Sequence, residues 1–272
     1  MSIISLQSSF RVALYPISEQ SIPARVLESG PYSLHFARSR HDLSPIFRLR
    51  YNVFNEELGE GLEESSVDQM DRDEFDTQCH HLYVRDKRTG NVVGTYRLQT
   101  REIADSAAGF YSDGLFDLSS LPDRVLDESV EIGRACIHSK HRSIKVLYLL
   151  WRGIGCYLSH NSKRYLFGCC SLTSQDASEG LSVYDQLGGN GQLSTDFLVK
   201  PRSGFSCFSE PLPVLPAKKA RIPRLMRSYL SFGAKICGPP AIDTEFKTID
   251  FLALFDASEL SDSVLAYYQA RQ

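Results

Sequence analysis

Two charged residues three positions apart, Glu131 and Arg134, lie within Ser129–Ile137, where Val130, Ile132 and Cys136 alternate with other side chains. Charges on a strand among buried neighbours need partners, because an isolated buried charge is strongly unfavourable. By spacing alone, the plainer reading is a structural ion pair within a sheet; a functional pair is the alternative. Asp68 and Asp71 also stand three apart and could ligate a metal, but no His or Cys lies at ligand spacing beside them. His80 and His81 alternate across a strand, and His138 and His141 sit in a loop, so no metal site is expected. Cys169 and Cys170 occupy an apolar strand without a basic neighbour in sequence, which favours packing over thiol chemistry. No G-x-S-x-G, Walker or G-x-G-x-x-G sequence occurs.

These residues need elements to position them. Alternation predicts strands at Tyr32–Arg38, His81–Arg85, Val92–Thr100, Ser129–Ile137, Tyr165–Leu172 and Thr248–Phe255. Gly133 marks an irregularity in the fourth of these. Leu43, Ile46, Phe47, Arg50, Val53 and Phe54 recur at helical spacing within Asp42–Glu57, and Val146–His160 is a strongly apolar helix. Ala177–Leu187 is a shorter helix. The acidic stretch Glu56–Asp76 reads as a long loop of the kind that carries function. Residues 217–236 hold Lys218, Lys219, Arg221, Arg224, Arg227 and Lys235 without one acid, around apolar residues at helical spacing: a basic amphipathic helix. The succession β-α-β-β-β-α-β-α-β implies an α/β (α+β) fold with a mixed sheet and helices on both faces. Residues 1–30 form a loosely attached arm, 31–256 the main domain and 257–272 a C-terminal helix.

Composition limits the function classes. In 272 residues, 30 Lys+Arg against 33 Asp+Glu leave no basic field, so nucleic-acid binding has no support. Seven cysteines with no C-x-x-C pair read as free thiols in a reducing compartment. Arg11 breaks the early apolar stretch, no signal-peptide cleavage pattern follows, and the run Val146–Leu158 is too short to span a bilayer. The expected location is the cytoplasm, with attachment to the inner membrane surface as a variant.

A resemblance then emerges from Arg50-x-x-Val53-Phe54, Asp68-x-x-Asp71, Gly94-Thr-Tyr-Arg97-Leu98 and Val130-Glu131-Ile-Gly133-Arg134. These resemble the acyl-homoserine-lactone synthase branch of the GNAT superfamily. Further segments bring the chain closer to the ornithine-lipid N-acyltransferases and long-chain N-acyl amino acid synthases. They include Asp73-Glu-Phe-Asp76, Phe116-Asp117, Leu150-Trp-Arg-Gly153, Tyr229-Leu-x-x-Gly233 and Gly238-x-Pro240-x-x-Asp243. The resemblance runs from about residue 34 to about residue 256. It implies a GNAT fold and transfer of a long-chain acyl group from acyl-carrier protein to an amine. The resemblance further implies that no cofactor is bound and that acyl-ACP, with its 4'-phosphopantetheine thioester, is a co-substrate.

On that reading Glu131 is the candidate base that frees the amine, with Arg134 and Arg97 orienting it or the acceptor's carboxylate. A backbone N–H near Gly133–Ala135 would steady the oxyanion. Arg50, Asp68 and Asp71 come over with the motif as substrate-binding positions, and Phe54, Phe116 and Trp151 are candidate walls for the acyl chain. Asp243 and Asp250 could meet a cationic group, since carboxylate pairs with ammonium. The run His138–Lys145 has no glycine to cradle a pyrophosphate, which fits a carrier-protein donor. Arg142, Lys145 and Arg152 would meet that acidic partner. The helix at 217–236 would dock the carrier protein, lie on an anionic membrane, or simply pack on its own sheet. Ornithine is the favoured acceptor; glycine or tyrosine, or a catalytically silent homologue, are the other readings.

Overall fold

Alternating apolar residues build one nine-stranded mixed sheet in a computed structural model that describes residues 15–208 and 221–259. In chain order the strands are β1 (Leu27–Ser29), β2 (Tyr32–Phe36), β3 (His80–Asp86), β4 (Val92–Thr100) and β5 (Ser129–Ile137). After them come β6 (Tyr165–Leu172), β7 (Lys235–Ile236), β8 (Ala241–Asp243) and β9 (Thr248–Asp256). Their spatial order is β1-β2-β3-β4-β5-β6-β9-β7, with β8 also on β9. Among the described strand pairs, β5 and β6 alone run parallel. The helices are α1 (Arg40–Tyr51), α2 (Arg101–Asp105), α3 (Asp123–Asp127), α4 (Ile144–His160), α5 (Ala177–Gly189) and α6 (Arg224–Ser231). Among the described residues no helix is long and apolar enough to cross a membrane.

The two faces of the sheet bury different partners. Leu34, Leu82, Tyr96, Leu98, Val130 and Leu166 face α4, α5 and α6, forming the largest core cluster with Val146, Leu150, Val183 and Met226. The opposite face is covered in two parts. Phe110, Phe116 and Val125 pack on Phe167 and Leu252, while Leu43, Ile46 and Phe54 of α1 and its extension pack near Tyr83 and Cys136. α1 starts where Ser39 and Asp42 close a capping box, the Asp42 carboxylate accepting from the Ser39 N–H at 3.0 Å. It continues as a π-helical segment, Asn52–Leu58, that carries Val53 and Phe54 inward.

The parallel pair is the feature that positions the site. β5 and β6 are in register only from Ser129–Tyr165 to Glu131–Phe167, and beyond that point they part. Gly168 sits at the fork: a Cβ there would lie 2.1 Å from the Ile132 carbonyl oxygen. Across the other edge, β5 sets two residues, Arg134 and Ala135, opposite the single Tyr96 of β4, one more than regular pairing holds. Arg134 takes a positive φ of 47° to make that bulge. The irregularity expected at Gly133 is real and displaced by one residue.

Several sequence readings change. The arm is partly built in: β1 pairs with β2, and Ile22 and Leu27 are buried in the core. Residues 1–14, 209–220 and 260–272 lie outside the description, and with them the start of the basic helix and most of the C-terminal one. What is described of the basic segment is shorter than 217–236. Pro223 caps α6, Gly233 ends it at φ 104°, and Lys235–Ile236 belong to the sheet. Its apolar side, Met226, Tyr229 and Leu230, is buried against the core, which leaves it no apolar face to insert into a lipid surface.

Gly168→Ala is expected to destabilise the fold by about 3 kcal/mol, because the methyl group meets backbone on the neighbouring strand and no rotamer relieves it. Urea unfolding followed by circular dichroism measures this; an unchanged midpoint would mean that the fork opens freely.

Candidate active site

The parting of β5 and β6 opens a cavity of about 880 Å³ lined from both faces of the sheet. On the helix-covered face its wall is largely apolar: Leu147 and Trp151 of α4, Met226 of α6, Ala253 and Phe255 of β9. Trp151 is wedged against Phe232, with ring centroids 4.7 Å apart, and against Tyr229 at 5.6 Å. One polar pair interrupts this wall, the buried hydroxyls of Tyr96 and Tyr229 at 2.7 Å. On the other face the lining is polar: Glu60, Arg97, Gln99, Glu131, Arg134 and Asp250.

Glu131 is the last β5 residue paired with β6, so it stands where the cavity begins. Its carboxylate is buried and accepts hydrogen bonds from the Tyr111 N–H at 3.0 Å and the Ser112 N–H at 2.7 Å. Those amides open the 3₁₀ turn Tyr111–Gly114. The turn is held by Gln78 and Gln99, whose side-chain amides both donate to the Gly109 carbonyl, at 3.0 and 2.9 Å. Burial raises the Glu131 pKa above the usual carboxylate range, against the opposing pull of the Ser112 hydrogen bonds and the Arg97 charge. A carboxyl so placed takes up a proton more readily than one in water.

Beside it lies a buried network of three arginines and three aspartates. Arg50 donates from Nε to Asp71 at 2.6 Å and grips Asp76 with both terminal nitrogens, at 2.6 and 3.0 Å. Arg97 donates to Asp73 at 2.6 Å and Asp76 at 3.1 Å, and Arg134 donates to Asp73 at 2.8 Å. Burial opposes ionisation of Asp73 and Asp76, yet the arginine charges hold both below the usual range. His81, at full burial, is pushed down to about 4 and stays neutral while its Nε2 meets the Asp76 carbonyl at 3.0 Å. The Arg134 guanidinium lies 4.0 Å from the Phe246 ring centroid and 5.2 Å from that of Tyr111.

The site residues inferred from sequence divide accordingly. Glu131, Arg134, Arg97, Phe54, Trp151, Asp250 and Arg142 line the cavity. Arg50 and Asp71 do not; they are fully buried against each other and brace the segment beneath. Asp68 pairs with Arg72 on the surface; Arg97 faces Asp73 and Asp76, and Arg134 faces Asp73 and Asp71. Phe116 is buried in the core cluster around Phe110 and Phe167, away from the cavity. Asp243 also stands behind the wall, accepting from the Tyr111 hydroxyl at 2.9 Å and the Phe246 N–H at 2.8 Å. Arg142 sits at the mouth, paired with Glu57 at 2.8 Å, and Lys145 is exposed nearby in sequence, whereas Arg152 lies off the wall. Sequence reasoning missed Glu60, Gln99, Tyr111 and Ser112, and it missed Arg221 and Arg224 as part of the mouth. Among the described residues no group of three His, Cys, Asp or Glu side chains is placed to hold a metal.

Known proteins align with this chain over most of its length. Residues 49–152 match the family model described as the acetyltransferase (GNAT) domain. An L-ornithine N(alpha)-acyltransferase of Brucella abortus (strain 2308) is 32% identical over 252 residues, 89% of this chain and 90% of that protein. The same-named protein of Rhizobium meliloti (strain 1021) is 29% identical over 245 residues, covering 86% and 83%. Among solved structures, an N-acyl amino acid synthase from uncultured soil microbes aligns over 84% of this chain and 91% of its own, at 8% identity and a TM-score of 0.49.

Asp250 gives the site a pH signature. It is buried, accepts from the Ser171 hydroxyl at 2.5 Å and the Thr248 hydroxyl at 3.2 Å, and is pushed up to about 7 by burial. The folded state therefore holds this proton more tightly than the unfolded chain, whose aspartate titrates near ~3.9. The stability it contributes is complete below about pH 4 and is lost as pH rises through about 7. Asp250→Asn should accordingly gain in Tm relative to wild type between about pH 5 and about pH 8. A Tm difference that stays flat across that window would contradict a protonated Asp250.

Proposed function

The chain belongs to the L-ornithine N(alpha)-acyltransferase family, and on that premise we propose that it moves a long-chain fatty acyl group from acyl-carrier protein to the α-amine of ornithine. The observation that carries this reading is the cavity at the strand fork, apolar on one face of the sheet, polar on the other, with Glu131 where the two meet. An acyl chain fits the apolar branch between Leu147, Trp151, Met226 and Phe255. The amino acid fits the polar branch beside Arg97 and Arg134.

The acceptor's α-amine is protonated at neutral pH and cannot attack until a base removes a proton. Glu131 takes that proton, directly or through one water, and its burial makes it a stronger base than a solvated carboxylate. The free amine adds to the thioester carbonyl, forming the C–N bond and a tetrahedral oxyanion. A backbone N–H of the Arg134–Ala135 bulge donates to that oxygen. Collapse of the intermediate breaks the C–S bond; the amine's second proton passes to the departing thiolate, which leaves as thiol, and Glu131 returns its proton to solvent. Arg97 and Arg134, fixed by Asp73 and Asp76, orient the acceptor's carboxylate.

Carrier-protein use is supported by the absence of a glycine turn in His138–Lys145 and by the charges at the mouth. Arg142, Arg221 and Arg224 line that opening, Lys145 lies close in sequence, and an acidic carrier protein complements them. The acyltransferase domain runs through 256 and starts before residue 31, taking in Ile22 and Leu27 of the core. The charged side of α6 remains available to the carrier protein or an anionic membrane surface.

Expression in a host that makes no aminolipid, followed by mass spectrometry of extracted lipids, should reveal an acyl-ornithine that Glu131→Gln lowers by about 10²- to 10⁴-fold. A well-folded wild-type protein that yields no acylated amine would refute an acyltransferase. Acylated glycine or tyrosine in place of ornithine would correct the acceptor. Purified enzyme offered acyl-ACP and acyl-CoA should favour acyl-ACP, and strong preference for acyl-CoA would overturn the donor assignment.

A further inference from the structure

The charges around the polar branch do not cancel evenly. Arg50, Arg97 and Arg134 are matched by Asp71, Asp73 and Asp76. Two further acids on the cavity wall, Glu60 and Asp250, have no basic partner within ion-pair distance among the described residues. Glu60 is buried to 6% exposure and its hydrogen-bond partner is the Thr173 hydroxyl. Asp250, at 2% exposure, has the hydroxyls of Ser171 and Thr248. Hydroxyls supply hydrogen bonds and no charge, so burial raises both carboxyls above the usual range. Asp243 adds to the negative potential at Asp250 while its own oxygens are taken by Tyr111 and Phe246.

A second observation comes from the opposite charge. Arg134 lines the same branch with its side chain 6% exposed, and its buried Nε makes no hydrogen bond, the Asp71 carboxylate lying 3.8 Å away. Arg134, Glu60 and Asp250 all line this one cavity. A wall with a cation carrying a spare donor and two acids lacking a cation suits a ligand that carries a carboxylate and a distal ammonium. An ammonium has three donors and a full charge, which the hydroxyl partners do not provide.

We infer that Glu60 and Asp250 seat the side-chain ammonium of the acceptor and so make the enzyme select a diamino acid over a neutral one. This rests on the acyltransferase reading above and names the residues that set its acceptor. The acceptor's α-amine then meets Glu131, its carboxylate meets Arg134, and its far end lies between the two acids.

The test compares ornithine with norvaline, which has the same carbon chain without the terminal amine, using the full-length protein and acyl-ACP. Wild type should favour ornithine in kcat/KM, and Glu60→Gln and Asp250→Asn should each reduce that ratio about tenfold to a hundredfold. Partial unfolding lowers both rates alike and leaves the ratio unmoved. Where a variant turns over neither amino acid, thermal shift decides. Loss of the ornithine-induced rise in Tm with the acyl-ACP-induced rise retained supports the assignment; persistence of the ornithine effect overturns it. A wild-type preference for ornithine that survives in both variants refutes the assignment and leaves the acyltransferase reading intact. Wild-type protein that acylates no amino acid refutes that reading itself.

Discussion

The buried pairing of Arg50, Arg97 and Arg134 with Asp71, Asp73 and Asp76 is the constraint on which the polar half of the molecule rests. Six charges have been taken out of water, and each is tolerable only while its partners hold their positions. The Arg50 fork fastens the 71–76 segment to α1, and Arg97 and Arg134 fasten the same segment to β4 and β5. Removing one member strands another in a low-dielectric interior, so the network behaves as a unit. Its dividend is rigidity: two guanidinium groups reach the cavity wall without freedom to swing.

The strand fork answers a different demand. A sheet that stayed paired would present two separate surfaces, whereas parting β5 from β6 after Glu131 joins them through one opening. The same step places a carboxylate at the junction and turns the backbone of the bulge toward it. Arg134 pays for this with a positive φ, a cost of about 1 kcal/mol for a side chain that is not glycine. The ion pair to Asp73 and the packing against Phe246 hold it there.

Much of this was legible in the sequence, and the limits have physical causes. Glu131 and Arg134 stand out because they interrupt an alternating apolar strand, and Gly133 flags an irregularity there. The mixed sheet follows from the order of alternating and helical patterns. The partners of the arginines were harder to read: Asp68, Asp71, Asp73 and Asp76 are chemically alike, and only the path of the chain decides which faces inward. Glu60 is the sharper case, since Glu56 and Glu57 beside it are exposed and nothing local separates the three. Periodicity overextended the basic helix because it does not register the punctuation of Pro223 and Gly233. Polar composition hid β1, whose three residues gain their order from pairing with β2.

The thiols in the cavity carry a consequence for the order of events. Cys79, Cys136, Cys169 and Cys170 all line it, and burial raises every one of them well above neutrality. None is primed to become a thiolate and carry the acyl group as a covalent intermediate. Under the proposed acyl transfer these thiols belong to the wall and are no relay for the acyl group. The proposed transfer is then a direct one, which would require both substrates to occupy the two-faced cavity before either product leaves.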